Sequence, residues 1–351
     1  MVTTIYDHNL VKLKEERIKT EYYLSRMSLE NIKITNNGTV LTLMQGYQTP
    51  SNSKLKYNAL DLYKNSLNAS SEHKQLEKGE LSFFNPTIIA NNDSILTIAY
   101  QYNTIGKWRP NEGAIGVIFY DYFTKTDSLN ERSELLFDKN ELIAKLTVKE
   151  KKLYDKETAR NRPYNLALFR NKIRDLYTLQ DSSRLLTLEE SWSDIRTYNT
   201  GRYMNSYTVY NYNNITLMKY DAQLVKDYSV VVPKYQISKD DNGFYSSFSQ
   251  HISADGHLYL MFNDNISNYF VSGDFNQTQN LQNFTLNINK FCTALVDLDI
   301  KTGLYKRRAL FDKDDIENLF VPRLYEQDLY YNTHILTFNK RNRYRFVKIV
   351  F

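Results

Sequence analysis

The stretch Glu189-Glu190-Ser191-Trp192-Ser193-Asp194 comes closest to a recognisable chemistry in residue type and spacing. Carboxylates accept hydrogen bonds from sugar hydroxyls, and an indole offers a flat apolar face with one polar edge. Hydrolysis of a glycosidic bond asks for more, namely two carboxylates facing each other at a defined separation. Spacing along one chain does not establish that. Trp108 lies beside Arg109 and Pro110 in the predicted loop Tyr102 to Glu112, where an indole serves as a contact residue or packs over a sheet edge. Asn263-Asp264-Asn265 directly follows the aromatic and apolar run Leu258 to Phe262, which it is expected to end. A carboxylate between two amides there suits a sugar or a cation, or caps the local backbone, and capping is the preferred reading. Tyr245, in the polar segment Asp240 to Ser247, completes the set. The residues singled out for binding are therefore Trp108, Glu189, Trp192, Tyr245, Asn263, Asp264 and Asn265, and none is assigned a catalytic role.

Other chemistries find little footing. Asp240-Asp241-Asn242-Gly243 lacks the alternate acids and the closing Glu of an EF-hand, so a polar turn is the better reading. The five His residues (His8, His73, His251, His257, His334) show no ligand spacing, and the single Cys292 sits in an apolar run, where it reads as a small buried hydrophobe. No metal site and no cofactor is expected. The chain has no phosphate-binding loop, no G-x-S-x-G elbow and no dinucleotide fingerprint. Its net charge of +5 comes from 45 basic and 40 acidic residues interspersed along the chain, which argues against a nucleic-acid-binding stripe. The short basic cluster Lys340, Arg341, Arg343, Arg345 reads as a solvated hairpin tip. No apolar run reaches membrane-spanning length. The start, Met1 to Tyr6, has neither a basic region nor an apolar run, as expected of a cytoplasmic protein or of one trimmed of its leader.

The elements that must carry these residues are strands. Tyr (29) and Phe (18) abound, and helical periodicity is scarce. From Lys234 to Phe311 a unit repeats in outline: a turn at Ser253-Ala254-Asp255-Gly256-His257, a strand Leu258 to Phe262, a strand Phe291 to Asp299, a turn Ile300 to Gly303, and a return strand. Ile89 to Ile98 echoes Ile252 to Met261, Leu135 to Lys139 echoes Ala309 to Lys313, and Tyr6 to Lys12 echoes Tyr220 to Lys226. Repeats of this kind predict an all-β fold, a β-propeller-like repeat of about five to six blades within residues 1–351 as one domain. One helix is predicted near 139–160, with Asp138 and Glu141 as its capping box and Leu142, Leu146 and Leu153 on one face. Thr3 to Ile18 reads as a lone hairpin, Ser66 to Gly79 as mobile, and Tyr198 to Tyr212 and Ser267 to Asn289 as long Tyr- and Asn-rich loops.

Pro233-Lys234-Tyr235-Gln236, Asp240 to Ser247, Phe262-Asn263-Asp264-Asn265, Asn268, Ala309-Leu310-Phe311 and the ending Arg345 to Phe351 give residues 200–351 a resemblance to uncharacterised propeller-like envelope proteins of Bacteroidota. The resemblance implies a propeller-type fold and an envelope setting, periplasmic or surface, and brings no activity with it. The expectation that follows is a non-enzymatic binding or scaffold protein of the cell envelope that meets a protein partner through the two Tyr- and Asn-rich loops. The alternative is a carbohydrate-binding or carbohydrate-active propeller. It predicts acids converging on Trp108 or Trp192.

Overall fold

A computed structural model of the chain describes all residues except 1, 7–8, 19–26, 36–37, 47–58, 67–69, 79–80, 91–93, 105–112, 163, 165, 200, 202, 285–289, 313–318, 329–332, 341–342 and 351. The chain divides into two compact units, Met1–Arg184 and Leu185–Phe351. Trp108 lies outside the described residues, as do Lys313 and the greater part of the loop that carries Trp108.

The first unit opens with the predicted lone hairpin, β1 (Val2–Tyr6) against β2 (Lys12–Arg17). Next comes a four-stranded antiparallel meander of β3 (Met27–Ile34), β4 (Val40–Gly46), β5 (Ala59–Asn65) and β6 (Glu72–Lys78). The second meander runs β7 (Leu81–Ala90), β8 (Ile95–Thr104) and β9 (Gly116–Phe123), with the short β10 (Ser128–Leu129) and β11 (Ser133–Leu136) both on β9. The segment Ser66 to Gly79, read as mobile from its polar composition, supplies β6. Its alternating Lys and Glu belong to an outer strand whose solvent side is polar.

Central strands are buried on both faces, so they read as apolar runs rather than alternations. β4 and β5 are the clearest cases. Leu41 and Leu43 on β4, with Leu60 and Leu62 on β5, pack against Ile98 and Tyr100 of β8 and Ile118 and Tyr120 of β9. Each fully buried Leu contributes roughly 2 kcal/mol. The tyrosines of this core keep their hydroxyls at its rim. Tyr100 donates to Glu77 Oε1 at 2.6 Å, Tyr120 reaches the same oxygen at 3.1 Å, Tyr102 donates to Glu134, and Tyr122 to Asp127. Burial raises all four phenols, Tyr120 to about 12, which keeps them neutral donors.

The predicted helix is two. Asp138 caps α1 (Lys139–Ala144) by accepting from the amides of Asn140 and Glu141, and α1 buries Leu142. The capping box sits one helix later: Thr147 and Glu150 close it on α2 (Val148–Ala159). α2 buries no residue, and Leu153 stays exposed, so the periodic apolar face does not dock. Strand β12 (Asn171–Thr178) follows, beside β7 and β8.

The second unit contains β13 (Arg184–Asn199), β14 (Met204–Tyr220), β15 (Lys226–Val232) and β16 (Gln236–Lys239). Both β15 and β16 pair antiparallel with β14, at residues 215–220 and 209–212 respectively. A second meander is β17 (Ser249–Ile252), β18 (His257–Asn265), β19 (Phe291–Asp299) and β20 (Tyr305–Asp312). A third is β21 (Leu319–Asp328), β22 (Thr333–Lys340) and β23 (Arg343–Val350). The turn between β17 and β18 is the one predicted: Gly256 takes a φ of +90°, and its amide donates to Ser253 O at 3.2 Å. Cys292, fully buried on β19, is the apolar filler its neighbours suggest.

Consecutive strands paired as antiparallel meanders, sheet after sheet, define an all-β, propeller-like repeat. Two boundaries differ from the sequence reading. Lys234 to Lys239 belongs to the sheet of β14, not to the unit that follows. Tyr198 to Tyr212 is no loop: it takes in the end of β13 and the start of β14.

Candidate functional site

Strand alternation sorts the stretch from Glu189 to Asp194 into two faces. Glu189 and Ser191 point inward and are buried, whereas Glu190 and Trp192 are half-buried and Asp194 is exposed. The inward and outward residues have different fates.

Glu189 lies at the centre of a buried polar network in the second unit. Its Oε1 pairs with Lys234 Nζ at 2.8 Å, and neither side chain has any solvent exposure. Its Oε2 accepts from Ser247 Oγ at 2.8 Å. Lys234 also donates to Gln236 Oε1 at 2.9 Å and to Tyr212 O at 3.3 Å. The network continues as Gln236 Nε2 donates to Asn263 O at 2.7 Å, and Asn263 Nδ2 to Tyr245 O at 2.8 Å and Phe320 O at 2.6 Å. The Tyr245 hydroxyl closes it by donating to Asn339 Oδ1 at 2.9 Å. Three of the residues predicted to bind, Glu189, Tyr245 and Asn263, are thus brought together by hydrogen bonds, as a lock that ties β13, β14, β16, β18, β21 and β22. A charge buried this deeply needs a partner and its remaining hydrogen bonds, and both are present.

Asp264 anchors a second lock. Arg307, buried on β20, pairs with Asp264 and donates from Nε to the Tyr269 hydroxyl at 2.8 Å. Tyr269 donates to Asp264 Oδ2 at 2.7 Å, and Asn268 Nδ2 to Oδ1 at 2.8 Å. The guanidinium carbon lies 4.0 Å from the Phe275 ring centroid and 5.0 Å from that of Phe262. Burial and the carboxylate beside it hold the Tyr269 phenol far above its ordinary range, and Asp264 and Tyr269 outweigh burial to raise Arg307. Asn265 caps the following turn by accepting from Ser267 N at 3.0 Å, the backbone role preferred from the sequence. The strand is three residues longer than expected: β18 takes in the triplet and ends at Asn265.

The outward face of β13 runs from half-buried Glu190 and Trp192 to exposed Asp194. The Trp192 indole N–H donates to Asp194 Oδ2 at 2.9 Å, which fixes the ring two residues from an exposed carboxylate and two from Glu190. Beyond it the ribbon of β13 and β14 carries exposed Tyr198 and Tyr203, with the Tyr198 and Tyr207 rings 5.9 Å apart.

Tyr210 and Tyr212, in the stretch expected to make contacts, find partners that sequence did not show. Tyr212 on β14 receives a hydrogen bond from exposed Arg323, whose guanidinium carbon sits 5.2 Å from the ring centroid. Lys234 Nζ lies 5.8 Å from that centroid. Gly243, at a φ of +65°, leaves room for the ring: a Cβ there would fall 2.4 Å from Tyr212 Cε2. Beside it Tyr210 donates to Asn242 Oδ1 at 2.8 Å. The Asn242-Gly243 pair, read as a plain turn, is the signal that marked a close approach.

Among the described residues no group of His, Cys, Asp and Glu is placed to hold a metal ion, and no helix is long and apolar enough to cross a membrane.

No family model matches the chain, and no curated protein is similar to it in sequence. Solved structures are similar to it at low identity. A luciferin-regenerating enzyme matches at 13% identity over 74% of this chain and 63% of its own, with a TM-score of 0.31. Polysaccharide lyase Uly1 matches at 9% identity over 91% and 67%, with a TM-score of 0.36. The Trypanosoma rangeli sialidase matches at 8% identity over 99% and 56%, with a TM-score of 0.29. This chain therefore spans about three-fifths of the luciferin-regenerating enzyme and of the sialidase. The expected non-enzymatic scaffold is corrected to this extent: the structures similar to this chain are named as a luciferin-regenerating enzyme, a polysaccharide lyase and a sialidase, none of them a scaffold, and at these identities the likeness speaks for the fold alone. Of the two expected contact loops, Tyr198 to Tyr212 is a strand pair, and Ser267 to Asn289, of which 285–289 lie outside the described residues, folds back on its own backbone through Asn268 and Asn276.

Proposed function

We propose that the chain is a carbohydrate-binding propeller, with the outward face of β13 as its glycan surface. One observation carries the reading. Glu190, Trp192 and Asp194 share the outward side of a single strand, with the indole fixed to Asp194 at 2.9 Å. A ring held by a neighbour loses little freedom when a sugar stacks on it, and the two carboxylates accept hydroxyl hydrogen bonds on either side. Glu189 takes no part, because it is sealed under the strand with Lys234. The reading concerns binding, since nothing in this arrangement opposes two accessible carboxylates across a bond.

An array of oligosaccharides followed by calorimetry on the hits tests it. Trp192→Ala is expected to weaken the best ligand about tenfold or more, the size of one lost aromatic stacking contact. Glycan affinity unchanged in Trp192→Ala, with the fold intact by circular dichroism, would overturn it.

A further inference from the structure

The partners of each side chain tell the two faces of the sheet around β14 apart. Gln236 stands opposite Tyr212 in the ladder of β14 and β16, and Lys234 joins Gln236 to Glu189, so these residues share the inward side. Val209 stands opposite Lys239, an odd step along the same ladder, so this pair lies on the outward side. Tyr207, two residues before Val209, joins them there: Lys239 Nζ is 4.0 Å from the centroid of its ring. The Tyr207 ring lies 5.9 Å from that of Tyr198, on the neighbouring strand β13, at an angle of 56°. An even step along β13 separates Tyr198 from Trp192 and an odd step separates it from Glu189, so alternation and ring contact agree. Trp192 and Tyr198 share the outward face of β13.

The two rings are prepared in the same way. Asp194 holds the Trp192 indole from its own strand, and Tyr207, itself under Lys239, braces Tyr198 from the next. Both remain accessible, Trp192 half-buried and Tyr198 exposed. Asp194 and Arg196 alternate between them on the same face, both exposed, one accepting hydrogen bonds and the other donating them. The step of six residues from Trp192 to Tyr198, at about 3.3 Å each, spans roughly 20 Å. One sugar ring does not bridge that distance, whereas a linear chain of several does.

We propose that the outward face of β13 takes a linear oligosaccharide lying along the strand, with Trp192 and Tyr198 as two separate stacking platforms. The proposal rests on the glycan reading and narrows its ligand class to extended chains, as opposed to single terminal sugars. A chain stacked on Trp192 presents its further units to Tyr198 at high effective concentration, so the second contact adds affinity without a second encounter. A ring already braced gives up little freedom when a sugar covers it.

The test titrates the full chain by calorimetry with length ladders of cellulose-, chitin- and polyuronate-derived oligosaccharides, from the single sugar to chains longer than the span. Affinity for the ladder that binds is expected to rise about tenfold or more once the chain reaches the second ring, the size of one stacking contact. Tyr198→Ala should abolish that rise and leave the shortest binding member unchanged, and Lys239→Ala, which loosens the brace, should reduce the rise in part. Trp192→Ala should weaken every member. Affinity that is flat with length, a rise that survives Tyr198→Ala, or an equal loss for short and long chains in that variant overturns this proposal and leaves the glycan reading standing. Affinities unchanged in Trp192→Ala, or no binding of any ladder or array member by the unaltered chain, overturn both.

Discussion

Lys234 and Glu189 are 45 positions apart in sequence and 2.8 Å apart in space, with no solvent on either. Removing one partner strands the other charge, so Lys234→Met is expected to destabilise the second unit by about 3–5 kcal/mol. The double variant Lys234→Met/Glu189→Leu should recover a large part of that loss, because no charge is left to bury. Urea unfolding of the three proteins measures it, and a double variant no more stable than the single one would sink the argument. Gly243→Ala should cost about 1–3 kcal/mol through its positive φ and the clash with Tyr212. Thermal melting checks that cost. Glu189 shows where residue-level reading stops. Its type and its neighbours Trp192 and Asp194 suggest a ligand, while its partner comes from the link between β15 and β16, which only the sheet brings near. A lone Lys beside Pro233, between apolar strands, was the available hint, and it points to an ion pair without naming the acid.

Elements whose ends are set by local chemistry were the most legible. The Gly256 and Gly303 turns and the strands they join stand where glycine's freedom at positive φ places them. The helical segment was placed correctly, but its capping box was assigned to Asp138 and Glu141 when Thr147 and Glu150 form it. Both pairs have the right spacing, and only the backbone break at Lys145 separates them. Thr147→Ala is expected to remove about 1 kcal/mol from α2 and to speed amide exchange in its first turn. On β18, the His257 Nδ1 lies 2.6 Å from Asp297 Oδ1, and that hydrogen bond, aided by Asp255 and Asp299, raises the imidazole above its usual 6.5. The folded-state value is the higher one, so this pair stabilises fully below the unfolded value and its contribution is lost as pH rises through the folded one. Relative to His257→Gln, the unaltered chain should therefore lose stability as pH rises above the ordinary histidine range. Parallel pH profiles for the two proteins would refute this. The ring is half exposed, so the effect is small and weakens with salt.

The repeat of the whole chain was visible because each sheet is a meander of consecutive strands, and consecutive strands leave consecutive sequence signals. The strand count of each sheet, from two to five, was less visible. Outer strands such as β6 carry Lys, Glu and His on their open side and read as polar loops. Stability should follow the same order. Amide exchange is expected to be slowest in the doubly buried β4, β8, β18 and β19 and fastest in β1, β2 and β23, whose side chains are largely exposed. Uniform protection across each sheet would contradict that ranking.

Cys292 gives that hierarchy a chemical clock. It is the chain's single thiol, it has no exposed surface, and it lies on an inner strand between β18 and β20. A thiol-specific alkylating reagent reaches it only when that sheet opens. One thiol takes one label, so the rate at which labelled molecules accumulate, set against the rate for the unfolded chain, gives the opening free energy of that sheet without any engineered label.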